Sequence, residues 1–246
     1  MMSKRRLDGG QPLIQDMLSM MMSSEIQTEN GDVIKSFSEE EIVSQAVSLL
    51  SAGQETVAAA MSFLIGVLST HPEVQARLHS QIDSLFLDED DLNYENIQNV
   101  PYFDQVLYET LRMYPPVYML TRRCVGSCTL GGINIARDTA IHVPLYSIHH
   151  DPKLWKDPEK FDPNRFLEAS REDQDPLFLP FGTGARNCIG MKFALTEIKY
   201  VLLRLLMRFK FLNVTDTSLS ARSKNQTTLT PKDGILVTVI RRVPGG

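Results

Sequence analysis

A glycine-rich segment around one cysteine, Phe181 to Gly190, is the part of the sequence best suited to chemistry. Its glycines allow backbone conformations that other residues avoid, and they let a flat ligand approach the chain closely. The segment leads into an amphipathic stretch that predicts a helix, whose free N–H groups and positive dipole end would stabilise a thiolate. Arg186, two residues before Cys188, adds a cation suited to a carboxylate or a phosphate. This setting is compatible with a thiolate at Cys188, although an isolated cysteine in a glycine loop is more often a packing residue.

A second polar group interrupts a long apolar segment at Gly53, Gln54, Glu55 and Thr56. A glycine weakens a helix by about 1 kcal/mol relative to alanine, and a threonine within a helix can bond back to a carbonyl and distort it. Such a distortion frees backbone groups and makes room for water. Glu55 beside Thr56 therefore fits a site of proton delivery. A polar patch that faces another element fits these residues equally well.

A third pair, Glu109 and Arg112, lies three residues apart on a predicted helix and therefore on one helix face. Most pairs of this kind are solvated surface salt bridges that contribute little to stability. The spacing alone predicts no more than such a salt bridge.

The cysteine segment resembles the haem-ligand signature of the cytochrome P-450 family, in which a cysteine thiolate binds the haem iron. The defining positions of that signature are matched by Phe181, Gly184, Arg186, Cys188 and Gly190. The resemblance extends over nearly the whole chain, and its pattern is most similar to the microsomal drug-metabolising branch that includes thromboxane synthase. It implies that these five residues bind the cofactor, haem b (iron protoporphyrin IX), and that Cys188 ligates its iron.

The resemblance also assigns the two weaker groups. Glu109 and Arg112 match the Glu-x-x-Arg helix of the family, and Arg165 matches the arginine that completes a buried structural triad. The segment from Ala52 to Thr56 matches the oxygen-activating helix, so Thr56 and Glu55 are the implied catalytic residues and Ala52 an implied haem contact. Val57 stands where the family often has a second hydroxyl, which predicts an altered proton relay.

Further positions follow from the same resemblance. Arg122 matches the arginine that binds a haem propionate, and Arg186 is its implied second partner. The residues implied to contact substrate are Val117, Tyr118, Leu120 and Thr227. The two other cysteines, Cys124 and Cys128, have no comparable setting and are expected to be packing residues.

The resemblance implies a monooxygenase that inserts one atom of dioxygen into a small apolar substrate. NADPH-cytochrome reductase would supply the electrons at the cytosolic face of the endoplasmic reticulum membrane. A haem-thiolate peroxide isomerase is one alternative, although thromboxane synthase lacks the threonine that is present here as Thr56. A truncated, non-catalytic remnant is the other.

The family's N-terminal half, with its membrane anchor and much of its substrate pocket, has no counterpart in the chain. Membrane association is therefore expected only through that missing part, and this chain alone is expected to be inactive. A fragment, an incomplete gene model and a truncated product all remain open.

The amino-acid composition is consistent with a folded domain and excludes some classes of function. The 246 residues include 43% hydrophobic residues, enough for a real core, and 25 basic against 30 acidic residues leave a net charge of −5. A nucleic-acid binder would carry a basic excess, so none is expected. Three cysteines do not form a disulfide framework and fit a reducing compartment or a metal role better.

The elements that must position these residues are mostly helices. Ser38 and Glu41 form a capping-box pattern at the start of a long apolar helix that is expected to end near His71 and to be buried on most faces. Helices are predicted to follow from Pro72 to Leu85, Tyr102 to Met113 and Ile189 to Phe209, with a small sheet between Thr129 and Val143. The predicted fold is mainly α with a small β-sheet, the C-terminal part of the P-450 fold. Residues 1–37 would form a helical piece and linker, and residues 38–246 a partial haem domain.

Overall fold

A computed structural model of the chain describes residues 16–28, 33–167, 177–214, 219, 221–223 and 228–243. Within them the chain is mainly helical, and all paired strands form two-stranded antiparallel ladders, which confirms the predicted fold class. The α-helices are α1 (Met17–Ser23), α2 (Glu39–Thr70), α3 (Pro72–Leu85), α4 (Pro101–Met113), α5 (Leu145–His149) and α6 (Met191–Arg208).

The strands are β1 (Glu25–Gln27), β2 (Val33–Lys35), β3 (Leu120–Arg123), β4 (Cys128–Leu130), β5 (Ile133–Ile135), β6 (Ala140–Val143), β7 (Phe209–Asn213), β8 (Ala221–Ser223), β9 (Leu229–Pro231) and β10 (Val237–Arg241). They pair as β1 with β2, β3 with β6, β4 with β5, β7 with β10 and β8 with β9. Leu120 lies opposite Val143 in the β3–β6 ladder, and Cys128 lies opposite Ile135 in the β4–β5 ladder.

The chain forms two compact units, Met1–Gln54 and Glu55–Gly246. The division falls inside helix α2, whereas the sequence analysis placed a boundary at residue 38, where that helix begins. The first unit contains α1, the β1–β2 hairpin and the first half of α2. The second unit contains every other element and all but one of the described site residues, the exception being Ala52.

The start of helix α2 agrees with the capping box expected from the sequence. The Glu41 N–H donates to Ser38 Oγ at 3.2 Å, and the Ser38 N–H donates to the Glu41 carboxylate at 2.8 Å. By length and composition alone, α2 is the one helix among the described residues that could cross a membrane, but a buried core helix passes the same test.

The expectation that α2 is buried on most faces is wrong for its first half. Val43, Val47 and Leu50 are 48%, 57% and 72% exposed. The β1–β2 hairpin of the same unit does not cover them, because every residue of β1 and β2 is itself exposed. The second half of α2 differs, since Phe63 and Leu64 are fully buried in the second unit.

The core of the second unit is formed by the second half of α2 together with α3, α4 and α6. Its fully buried apolar side chains include Leu68, Leu78, Ile82, Phe103, Leu107, Leu202 and Leu206. Helix α4 is the central element, because every residue from Tyr102 to Met113 except Asp104 is buried. Any charge on α4 must therefore find its partners inside the protein.

Candidate functional site

The loop that carries Cys188 is folded back on itself just before helix α6. The Cys188 N–H donates to the Phe181 carbonyl at 2.8 Å, and the Asn187 N–H donates to the Gly184 carbonyl at 3.1 Å. Gly182 and Gly184 have φ angles of 70° and 74°, the left-handed region in which glycine carries no steric cost. These two glycines allow the loop to close, and the closed loop fixes the backbone of Cys188.

Two large apolar side chains near Cys188 are exposed. The Cys188 side chain is exposed, and its neighbours Ile189 and Phe193 are 92% and 70% exposed. Gly190 follows at the N-cap of α6, where a Cβ would lie 3.9 Å from Cys188 Sγ, an ordinary contact distance. The space around the thiol therefore admits a Cβ at residue 190, and a glycine there additionally allows close approach of a flat ligand.

An arginine of strand β3 contacts this loop at the backbone of Arg186. Arg122, on β3, donates from Nη1 to the Thr121 carbonyl at 3.0 Å and from Nη2 to the Arg186 carbonyl at 3.4 Å. Both arginine side chains are exposed. The Arg122 guanidinium group puts positive charge beside the Cys188 loop, where an anionic ligand such as a carboxylate would be stabilised.

Glu109 and Arg112, the pair whose spacing alone predicted a surface salt bridge, are both fully buried. Arg112 donates from Nε to Glu109 Oε2 at 2.7 Å and from Nη2 to Glu109 Oε1 at 2.9 Å, a bidentate arrangement. Arg165 donates from Nε to Glu109 Oε1 at 3.2 Å, and its side chain is 14% exposed. The structure thus brings the three residues of the proposed triad together around one carboxylate.

The remaining donors of this triad hold the segment between α5 and residue 167. Arg112 donates to the carbonyls of His149 and Pro158, both at 2.8 Å. Arg165 donates to the Asp157 carbonyl at 2.8 Å, and the Asp162 N–H donates to Glu109 at 2.9 Å. A buried ion pair is tolerated when its other hydrogen-bonding groups are satisfied, as they are here. The triad fastens an irregular segment to the central helix.

His149 is a buried site residue that the sequence analysis missed. Its Nε2 accepts a hydrogen bond from the Leu179 N–H at 3.0 Å, so its Nδ1 carries the hydrogen and donates to the Arg112 carbonyl at 3.1 Å. The ring stacks on Phe178 with 5.9 Å between ring centroids. Burial lowers the pKa of His149 from 6.5 to about 4. A histidine at the end of a short helix shows no spacing pattern that could have identified it.

The polar group in α2 lies on a continuous helix. Gly53 to Thr56 do not interrupt the α-helix, so the expected distortion produces no break. Glu55 is exposed, Thr56 is half-buried, and Val57 is 7% exposed. A Cβ built on Gly53 would meet nothing within 4 Å, which leaves open space beside the helix at this position. Ala52 is exposed and belongs to the first unit.

Three of the residues expected to contact substrate are described, and each is half-buried: Val117, Tyr118 and Leu120. A Cβ at Gly182 would lie 3.5 Å from Leu120 Cδ1, so Leu120 adjoins the Cys188 loop. The Leu229 N–H donates to the Pro116 carbonyl at 2.7 Å, which brings β9 beside this segment. Thr227 lies outside the described residues.

Cys128 corrects the expectation that both remaining cysteines are packing residues. Cys124 is buried, but Cys128 is exposed, because it is the first residue of β4, a three-residue strand whose residues are all exposed. Packing can therefore account for Cys124 but not for Cys128.

Comparison with known proteins decides the family. The model of the family described as Cytochrome P450 matches residues 2–239 of the chain. The chain belongs to the cytochrome P450 family. Similar curated proteins are cytochrome P450 3A11 of Mus musculus (35% identical over 242 residues) and cytochrome P450 3A5 of Homo sapiens (36% over 241 residues), and each alignment covers 98% of this chain. The chain spans about half the length of these relatives, 48% in both cases.

Membership of the cytochrome P450 family implies a haem cofactor, and the described residues fit one. Cys188 offers an exposed thiol at the end of a closed glycine loop, beside the exposed apolar side chains of Ile189 and Phe193. A large flat apolar group would cover such a surface. Arg122 and Arg186 lie at the edge, where the carboxylates of a haem would find cations.

Proposed function

We propose that this chain supplies the thiolate side of the haem site in a cytochrome P450 monooxygenase, with Cys188 as the iron ligand. The observation that carries the proposal is the exposed Cys188 thiol on a loop closed by the Cys188–Phe181 hydrogen bond. Phe181, Gly184 and Gly190 shape that loop. A cysteine on a fixed backbone with open space before it suits a ligand of a large planar group.

When bound, the haem supplies the iron chemistry that splits dioxygen, and electron density from a thiolate ligand favours O–O cleavage. The residues of the chain bind and orient the cofactor. Cys188 holds the cofactor from one side, and Arg122 with Arg186 would hold its carboxylates. Glu109, acting through Arg112 and Arg165, fixes the segment behind the loop and does not contact the cofactor.

Helix α2 is proposed to supply protons. Thr56 is half-buried and follows the exposed Glu55, so a hydroxyl and a carboxylate occupy consecutive positions of a continuous helix. Proton transfer to a reacting group needs donors within hydrogen-bond reach or one water away, and the open space at Gly53 can admit water. Ala52 is proposed to lie against the haem.

The proposed substrate is a small apolar molecule, oxidised with dioxygen. Its contacts would be the half-buried side chains near the Cys188 loop together with one residue outside the described part: Val117, Tyr118, Leu120 and Thr227. NADPH-cytochrome reductase is the proposed electron donor, and the cytosolic face of the endoplasmic reticulum membrane the proposed location. Both follow from the family and from the microsomal pattern of the sequence.

The ligand assignment is tested by the carbon monoxide complex of the reduced protein, expressed from its complete reading frame and loaded with haem. A thiolate ligand shifts the Soret band strongly to the red, and we expect that band in the unmodified protein. Cys188→Ser should abolish it, while Cys128→Ser, which removes another exposed thiol, should leave it unchanged. A red-shifted band that survives Cys188→Ser would refute the assignment.

The role of Thr56 is tested by the yield of product per electron consumed. Thr56→Ala should keep haem binding and divert electrons to peroxide or water, because protons arrive more slowly. Thr56→Ser retains the hydroxyl and is the matched control. An unchanged yield in Thr56→Ala would show that Thr56 only packs. Turnover of a peroxide substrate without any reductase would instead favour a peroxide isomerase.

A further inference from the structure

Two thiols outside the haem-ligand loop lie in contact with each other. Cys124 Sγ and Cys128 Sγ are 3.5 Å apart, and neither forms a disulfide. Cys124 directly follows strand β3, and Cys128 is the first residue of β4. The contact joins the ends of two neighbouring strands.

Each thiol is positioned by a separate ladder, so their contact is fixed by backbone pairing. The Cys124 N–H donates to the Thr139 carbonyl at 2.9 Å, and the Asp138 N–H donates to the Cys124 carbonyl at 2.7 Å, which continues the β3–β6 ladder. Cys128 is paired with Ile135 in the β4–β5 ladder. Two independently held backbones therefore place the thiols side by side.

The two thiols differ in access, which suits a stepwise reaction. Cys128 is exposed, whereas Cys124 is 7% exposed and its thiol donates to the Gly126 carbonyl at 2.8 Å. The hydrogen bond with Cys124 raises the pKa of the Cys128 thiol above its ordinary value. The Cys128 sulfur therefore rests as a thiol at neutral pH, and it is the one that a reagent meets first.

We propose that Cys124 and Cys128 form a redox-active dithiol site, whose reaction partner is a low-molecular-weight disulfide. The Cys128 thiolate attacks one sulfur of that disulfide, which releases one thiol and leaves a mixed disulfide on Cys128. The Cys124 thiolate then attacks the Cys128 sulfur and releases the second thiol. The protein pair loses two electrons and two protons, and the small disulfide is reduced to two thiols.

Closing the pair would change the end of strand β3. A disulfide holds its sulfurs about 2.05 Å apart, so the two sulfurs, now separated by 3.5 Å, need to approach by about 1.5 Å. The bond would tie the β3–β6 ladder to the β4–β5 ladder. Arg122, which reaches the Cys188 loop through the Arg186 carbonyl, lies only two residues before Cys124. The bond would therefore fix the strand end that carries this arginine.

The test uses glutathione and peptide mapping. Purified protein is equilibrated at a series of oxidised-to-reduced glutathione ratios, quenched with acid, alkylated with N-ethylmaleimide and digested with trypsin. Cleavage after Arg123 and Arg137 places both cysteines on one peptide, and cleavage after Arg186 places Cys188 on another. We expect the first peptide to become two hydrogen atoms lighter and to carry neither glutathione nor maleimide.

Single substitutions separate the two steps of the reaction. Cys124→Ser should stop at glutathionylated Cys128, and Cys128→Ser should leave Cys124 as a thiol because it is buried. The decisive comparison is made at a glutathione ratio that glutathionylates Cys128 in Cys124→Ser. If the protein with both cysteines then carried a mixed disulfide, or two maleimide groups, the proposal would be overturned. Failure of Cys128 to react at any ratio would also overturn it.

An arsenical probe tests the pair without any oxidation. Phenylarsine oxide bridges two adjacent thiols and survives washing with a monothiol, so one arsenic should remain on the peptide of the unmodified protein. Retention should fall to background in Cys124→Ser and in Cys128→Ser. Equal retention in either variant, or none in the unmodified protein, would contradict the geometry on which the proposal rests.

Discussion

His149 accepts the backbone N–H of Leu179 at its Nε2, 3.0 Å away, while its Nδ1 lies 3.1 Å from the Arg112 carbonyl. One neutral ring thus joins the end of helix α4 to the chain two residues before Phe181, where the Cys188 loop begins. Arg112 meets the same histidine from the other side, because it donates to the His149 carbonyl at 2.8 Å. The buried triad and the cysteine loop are therefore connected through His149.

Replacing His149 with leucine should loosen this connection. The change removes the acceptor for Leu179 and the donor for Arg112 and leaves their backbone groups without those partners. A buried group that loses its hydrogen bond costs about 1–3 kcal/mol, so the free energy of unfolding should fall by that order. Denaturant titration measures the loss, and hydrogen exchange at the Leu179 amide should become faster.

The neighbouring His150 provides the matched control. It is half-buried and stacks on Tyr146 with 4.0 Å between ring centroids, and its Nδ1 lies 2.8 Å from the Tyr146 carbonyl, whereas the Leu179 N–H donates to His149. His150→Leu should leave exchange at Leu179 unchanged. Equal acceleration in both variants would mean that a general loosening, not the His149 bond, controls this amide.

Stability should fall as the pH is lowered from about 6.5 towards 4. Burial lowers the pKa of His149 to about 4, and burial together with Arg242 lowers that of His79 to about 4 as well. In this window the unfolded chain binds protons that the folded chain excludes, so acid favours unfolding. Each histidine contributes at most about 1.4 kcal/mol per pH unit. The slope of unfolding free energy against pH should be shallower in His149→Leu, and an identical slope would remove His149 from this effect.

The Cys188 loop and the triad show what local sequence could predict. The closed turn needs glycines at positive φ, and Gly182 and Gly184 supply them, so residue type and spacing were informative. Glu109 and Arg112 were different, because their spacing fits a solvated salt bridge equally well. Their burial depends on how the whole of α4 is enclosed, and only the family resemblance indicated it.

His149, Cys128 and the first half of α2 depend on tertiary contacts that no local pattern encodes. The partner of His149 lies 30 residues away at Leu179. Cys128 meets Cys124 because two ladders end side by side. The apolar first half of α2 was expected to be buried, since an apolar surface normally is, but the chain of its own unit leaves Leu50 72% exposed.

Removing the carboxylate of the triad should be among the costliest single changes in the chain. Glu109→Gln leaves the fully buried Arg112 and the largely buried Arg165 without their shared anion. Loss of one partner of a buried ion pair typically costs about 3–5 kcal/mol. The free energy of unfolding should drop by that amount, as measured by denaturant titration.

A surface ion pair in the same chain supplies the comparison. Lys35 Nζ lies 2.7 Å from Glu25 Oε1, and the two side chains are 58% and 50% exposed. Lys35→Gln should cost less than about 1 kcal/mol, because exposed pairs contribute little. Similar losses in Lys35→Gln and Glu109→Gln would show that burial of Glu109 does not determine its contribution.

The exposed apolar face of α2 should govern self-association more than stability. Val43, Val47 and Leu50 follow helical spacing on one face and are all exposed. Val47→Lys with Leu50→Lys should lower aggregation in light scattering and change the unfolding free energy by no more than about 0.5 kcal/mol. Leu64→Ala, at a fully buried position of the same helix, should instead cost about 2–5 kcal/mol. If the lysine variant lost as much stability as Leu64→Ala, this face of α2 would have to be buried in the folded protein, which would contradict the prediction.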